Sequence, residues 1–319
     1  MNEALCPWCS APRGTGPDCP HCGANYAKAA AIRRHGRAAA GPQPLAPGRA
    51  GTGAAAYAEE QSPGPGMAAD PGLEWKYCVG AIPAALAIAL FIHTFGPGRA
   101  LLRIVFGMPI HELGHAVTAW FCGYAAIPVL WKTIIPDGRG FVAPVALAAA
   151  SGWMLYRGYL EDRWPAVAAG AVLLILQVIA TFGISPKTAR MLITFGGDGC
   201  GMILATLLMC SFFFGKDTQL YRSSLRWGFV GIGAAAFVDL YGAWWAARLD
   251  RSAVPLGTVD GTVTDSITLI GMHSWKIPQL INNFFTVGVC CLLVLAAVYA
   301  WGVLQARLAI PEQTTGLRH

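Results

Sequence analysis

His111, Glu112 and His115 stand together in the stretch "GMPIHELGHAVTAWFCG", residues 107 to 123. On a helix, residues four apart share a face, so the two imidazoles can reach one cation while Glu112 sits beside the first of them. HExxH is the spacing that zinc hydrolases use: two ligands, plus a carboxylate that takes a proton from the metal-activated water. A catalytic zinc normally takes three protein ligands and keeps one position open. The candidates for the third are Asp198, Asp239, His93 and His273. Asp198 is favoured because it lies in "TFGGDGCGM", where glycines on both sides let backbones approach closely and let a helix start or break. Asp239 lies in "AAFVDLYGAWW", a regular apolar run with less room. His93 ends an apolar run, where a satisfied histidine is the ordinary outcome, and His273 lies in a polar loop.

A second constellation is "CPWC" and "CPHC" near the amino terminus, with Cys6, Cys9, Cys19 and Cys22 as the thiols. Each CxxC can supply two thiolates to one zinc, so the four read as a zinc ribbon, residues 1–23, with a structural metal. A unit this small buries little core, and the metal would supply its folding energy. The role expected is recognition of a protein partner. No dense basic face accompanies it, so no nucleic acid is expected. The remaining cysteines lie in apolar runs, where a thiol behaves as a small hydrophobe.

The elements that must position these groups are membrane helices. Only 13% of the 319 residues are charged and the mean hydropathy is +0.48, against about 25% charged in an ordinary soluble domain. Residues 24–76 are an Ala-, Gly- and Pro-rich linker, and 311–319 a short tail. Between them, 77–310 reads as an all-α polytopic membrane domain. Runs at 77–95, 100–122, 165–183, 191–214, 227–247 and 284–305 are long enough to span a hydrocarbon core; a seventh, 141–156, is short. The Lys and Arg bias of the loops prefers six spans with the amino terminus inside. No cleavable signal precedes the first span, so a cytosolic ribbon is expected on a multi-pass protein of a bacterial cytoplasmic membrane. Glu112, Asp198 and Asp239 then fall inside spans, where an ionisable group is costly and marks function.

Residues 127–145 carry two β-branched runs around Pro136-Asp137-Gly138, a turn signal, and are expected to form a hairpin on the ribbon's side of the membrane. Its exposed edge, through Val129, Leu130, Trp131, Lys132, Thr133 and Ile134, would bind an extended substrate as an added strand.

A membrane-embedded HExxH followed two spans later by an Asp-Gly resembles the site-2 protease family of intramembrane zinc metalloproteases. The resemblance covers about 77–215. It implies that His111, His115 and Asp198 bind a catalytic zinc, that Glu112 is the base, and that a hairpin dips into the membrane after the HExxH helix. The Asn-x-x-Pro-x-Pro lead-in of that family is absent, since "MLITFGGDG" stands there. The function implied is an intramembrane zinc endopeptidase acting on transmembrane or membrane-associated proteins. The alternative is a membrane scaffold or sensor that keeps the fold and cleaves nothing; a zinc transporter would want more polar groups along a path.

Overall fold

The computed structural model describes residues 71–214, 225–259 and 262–310, together with Pro12, Thr15, Gly16, Cys19 and Pro20. The chain divides into two compact units, Met1–Gly66 and Met67–His319. Of the ribbon thiols, Cys19 is buried, while Cys6, Cys9 and Cys22 lie outside the described residues, as do most of the linker and the tail.

The second unit is helical. In chain order it comprises α1 (Pro71–His93), α2 (Gly96–Leu102), α3 (Met108–Phe121), β1 (Ile127–Val129), β2 (Lys132–Ile134), α4 (Val142–Leu160), α5 (Trp164–Val178), α6 (Pro186–Cys210), α7 (Leu225–Leu249), β3 (Thr258–Val259), β4 (Thr262–Val263), α8 (Asp265–His273) and α9 (Ile277–Leu308). Among the described residues, five helices are long and apolar enough to cross a membrane: Gly72–His93, Trp164–Gly183, Pro186–Phe213, Leu225–Leu249 and Ile277–Leu308. They match five of the six expected spans and make this an all-α membrane protein by length and composition.

The sixth expected span, 100–122, is not among the five. It belongs to a helical run, Gly96 to Phe121, interrupted by a π-helical turn at Arg103–Gly107. Pro109 has no N–H to return to the preceding turn, and a wider turn just ahead of it absorbs the missing bond. The polar side chains Arg103, His111, Glu112 and His115 also make this run less apolar than its neighbours. The short seventh candidate is longer than its hydropathy suggests: α4 has 19 residues and packs along α5.

The hairpin also differs from the expectation. Its strands pair Ile127 with Ile134, Pro128 with Thr133 and Val129 with Lys132, so the turn is Leu130-Trp131. Pro136-Asp137-Gly138 lies beyond it, with a bend at Asp137-Gly138. Arg190 of α6 donates to the carbonyl oxygen of Asp137 at 2.8 Å and holds that bend. The stretch expected to form the second strand, through Val145, is instead the entry to α4.

The contacts order the bundle. At one end, Arg226 at the start of α7 grips Glu74 at the start of α1 through two hydrogen bonds of 2.7 and 2.9 Å, and Tyr299 late in α9 donates to Val79. At the other end, Trp244 late in α7 stacks on Phe284 early in α9, with ring centroids 4.1 Å apart. Both Glu74 and Arg226 are buried. Removing one partner of such a pair leaves an uncompensated charge and costs about 3–5 kcal/mol. Arg226→Leu should therefore lower the unfolding midpoint in detergent, and adding Glu74→Gln should recover most of the loss.

Candidate metal centre

Packing of α3 on α6 builds the site. Gly114 in the HExxH turn faces the backbone of Gly196, Gly197 and Gly201, and a Cβ there would lie 2.6 Å from the Gly197 oxygen. Two helices this close bring the imidazoles of α3 onto the glycine stretch of α6. A Cβ at Gly197 would lie 2.5 Å from Cε1 of His111 and 2.6 Å from Nε2 of His115. Gly197→Ala should displace both rings and weaken metal binding by roughly 10–100-fold, the range seen when groups that orient metal ligands are disturbed. Gly138→Ala, where a Cβ meets open space, is the matched control in a metal-affinity titration.

The two Nε2 atoms approach to 3.1 Å. A carboxylate oxygen joins them, but it comes from Asp265: its Oδ2 lies 3.1 Å from Nε2 of His111 and 3.0 Å from Nε2 of His115. His111, His115 and Asp265 form a group that could hold a metal ion. Asp198, the expected third ligand, is placed elsewhere. Its Oδ1 lies 2.7 Å from Nδ1 of His111, the nitrogen on the far side of the ring. Its Oδ2 accepts from the indole of Trp244 at 2.7 Å. The helix does not start or break there either, for α6 runs unbroken from Pro186 to Cys210.

The remaining candidates stand apart from this group. Asp239 pairs with Arg103 at 3.2 Å, its carboxylate filling the space that Gly107 leaves. His93 ends α1 against Gly242 of α7, and its buried Nδ1 has no hydrogen-bond partner among the described residues. His273 is the last residue of α8.

The hydrogen bonds assign the imidazole protons. Nδ1 of His115 faces the carbonyl oxygen of Ile193 at 2.7 Å, and a carbonyl only accepts, so that nitrogen carries the proton. Nδ1 of His111 faces an ionised carboxylate and carries its proton for the same reason. With an ion bound, each ring would be neutral and would direct the lone pair of Nε2 at the ion beside Asp265. Three electron-rich atoms this close need protons or a cation among them, and a single divalent ion satisfies all three. Bonds of about 2.0–2.1 Å to a tetrahedral zinc place ligand atoms roughly 3.3 Å apart, close to the 3.0–3.1 Å found here. A carboxylate behind the first imidazole and a carbonyl behind the second are the usual supports of metal-binding histidines. The donor set fits the ion.

Burial alone would push the Asp265 carboxyl up. Where protons rather than an ion lie among the three atoms, hydrogen bonds from His111 and His115 outweigh that and hold it well below the usual carboxylate range. Its side chain is 32% exposed against 10% for each histidine, so the group is approached from the Asp265 side. Glu112, next to His111 in the chain, is buried. Its Oε2 accepts from the Thr133 hydroxyl of β2 at 2.7 Å, and the same hydroxyl lies 2.8 Å from the Glu112 carbonyl oxygen. The hairpin is thus fastened to the HExxH helix at the carboxylate expected to act as base.

Sequence reasoning missed Asp265, and it named Thr133 only as part of the hairpin edge, not as the partner of Glu112. An acidic residue after Thr264 at a helix start is the commonest use of aspartate near a helix dipole, and nothing local separates it from other loop carboxylates. No protein-family model, curated protein or solved structure matches the chain.

Proposed function

We propose that the protein is an intramembrane zinc endopeptidase, similar in its chemistry to the site-2 proteases, with His111, His115 and Asp265 as metal ligands and Glu112 as general base. The observation that carries this reading is the convergence of two Nε2 atoms and one carboxylate oxygen within 3.1 Å, on a helix that also presents Glu112. Bound zinc would lower the pKa of a water and polarise the scissile carbonyl. Asp198 and the Ile193 carbonyl hold the two imidazoles in the tautomer that binds metal. Glu112 takes the proton of the attacking water and delivers it to the leaving amine. A purely structural metal site would have no use for a carboxylate held at that position by its own hydrogen bond.

The substrate class is a transmembrane or membrane-associated protein, because the site sits among helices suited to lipid. A helical substrate must unwind before its carbonyls can react. The hairpin, through Val129 to Ile134, would offset part of that cost by accepting the unwound segment as a third strand. A two-residue turn makes Val129 and Lys132 a hydrogen-bonded pair, which leaves the backbone groups of Pro128 and Thr133 facing outward. Pro128 has no donor and blunts the β1 edge, whereas Thr133 leaves the β2 edge open. A second zinc in the Cys6, Cys9, Cys19 and Cys22 ribbon would serve a protein partner rather than catalysis.

Metal analysis with a cleavage assay tests the reading. The purified chain should carry two zinc ions, and deletion of residues 1–23 should remove one. Cleavage of a membrane-anchored reporter in proteoliposomes should stop with 1,10-phenanthroline and return with zinc. A chain that binds membrane zinc yet leaves every such reporter intact would instead be a scaffold that keeps the site.

A further inference from the structure

We infer that Thr133 is a positioning residue that couples substrate docking to the general base, an inference that rests on the protease reading above. Two facts meet at this one residue. Its hydroxyl is hydrogen-bonded to Glu112 at Oε2, 2.7 Å away, and lies 2.8 Å from the backbone carbonyl of the same residue. A single hydroxyl proton is shared between two oxygens of Glu112, which fixes the side chain relative to its own helix.

The second fact is the strand register. Thr133 lies opposite Pro128, and a proline cannot sit in a hydrogen-bonded pair of an antiparallel ladder as a donor. The N–H and C=O of Thr133 therefore point away from β1, and neither has a backbone partner elsewhere among the described residues. Along β2 the side chains alternate, with Lys132 and Ile134 exposed and Thr133 half-buried toward α3. A peptide added on this edge would form its hydrogen-bonded pair with Thr133 itself. Its backbone would run about 4.8 Å from β2, and the residue opposite Thr133 would share the face that looks at Glu112.

Pairing at that position thus acts on the base through a single side chain. An incoming strand draws β2 into a three-stranded ladder, and the Thr133 hydroxyl transmits the resulting position to the Glu112 carboxylate. The donors of Lys132 and Ile134 are used within the hairpin and cannot do this. Leu130 and Trp131 at the turn are more than half exposed and supply apolar contact without touching Glu112.

Fluorescein-labelled casein, an extended chain that needs no unwinding, serves as the probe, with full-length protein in detergent and bound zinc measured for every variant. Thr133→Val should keep its zinc, change KM less than about threefold and lower kcat by roughly 10–100-fold, a share of what a general base contributes. Thr133→Ser, which restores the hydroxyl, should return kcat to within about threefold of the parent. The inference is overturned if Thr133→Val turns over normally or faster, or if Thr133→Ser is as impaired as Thr133→Val while both retain zinc. Loss of zinc in Thr133→Val overturns it too, because the residue would then support the metal centre as a whole. Where the parent cleaves the membrane-anchored reporter but not casein, the same variants are read on the reporter; if the parent cleaves neither, or Glu112→Gln cleaves as fast as the parent, the protease reading itself fails and takes the inference with it.

Discussion

Glu112→Gln is expected to leave the membrane zinc in place and to reduce cleavage by at least about 10²-fold, the lower bound of what a positioned acid–base group contributes. The amide keeps the size of the side chain and can still accept from Thr133 through its oxygen, so the hairpin contact at 2.7 Å survives. What it loses is the ability to take a proton. Zinc content and turnover of a reporter therefore separate: metal stays near one ion in the membrane unit while product falls to background. A variant that cleaves at the parent's rate would remove Glu112 from the chemistry and leave only a bound ion to explain.

The second large effect concerns the third ligand. Asp265→Asn should empty the membrane site at micromolar zinc, because the amide oxygen is a weaker donor than a carboxylate and carries no charge. Asp198→Asn should bind zinc about 10–100-fold more weakly but still bind it, as expected for a group that orients a ligand without touching the metal. Asp239→Asn should bind normally, since its carboxylate serves Arg103. Competition titration with a zinc chelator ranks the three. If Asp198→Asn loses the metal and Asp265→Asn keeps it, Asp198 is the ligand and the observed arrangement is not the metal-binding one.

The parts of the site that were legible in the sequence are those encoded locally. HExxH places both imidazoles and the carboxylate by helical spacing alone, and each ring needs only its own turn to be read. Asp198 was recognised as special for a sound reason, the glycines that let α3 and α6 touch. Those glycines determine how close the helices come, but which face of the imidazole the carboxylate meets depends on the relative rotation of the helices. Asp265 was hidden because its partnership is made across the fold, on a segment that composition alone assigns to a polar loop. The hairpin shows a different failure. Pro136-Asp137-Gly138 is a strong turn signal and does bend the chain, whereas the true turn, Leu130-Trp131, has neither glycine nor asparagine. An apolar tip of that kind is penalised in water, which is the solvent from which turn rules are drawn. Five spans were legible from hydropathy; the run carrying the motif was obscured by the very side chains that make it interesting.

The placement of Asp265 between the last two long helices has a consequence for the order in which the proposed site is made. His111 and His115 leave the ribosome early, while Asp265 follows them by roughly 150 residues, or about 8–30 s at ordinary elongation rates. Through that interval the nascent chain would hold two of the three proposed metal ligands and lack the third. On the protease reading, a half-made chain in the bilayer would thus be harmless to its neighbours and to itself. On that reading, competence would arrive only when α8 has emerged and docked against α6.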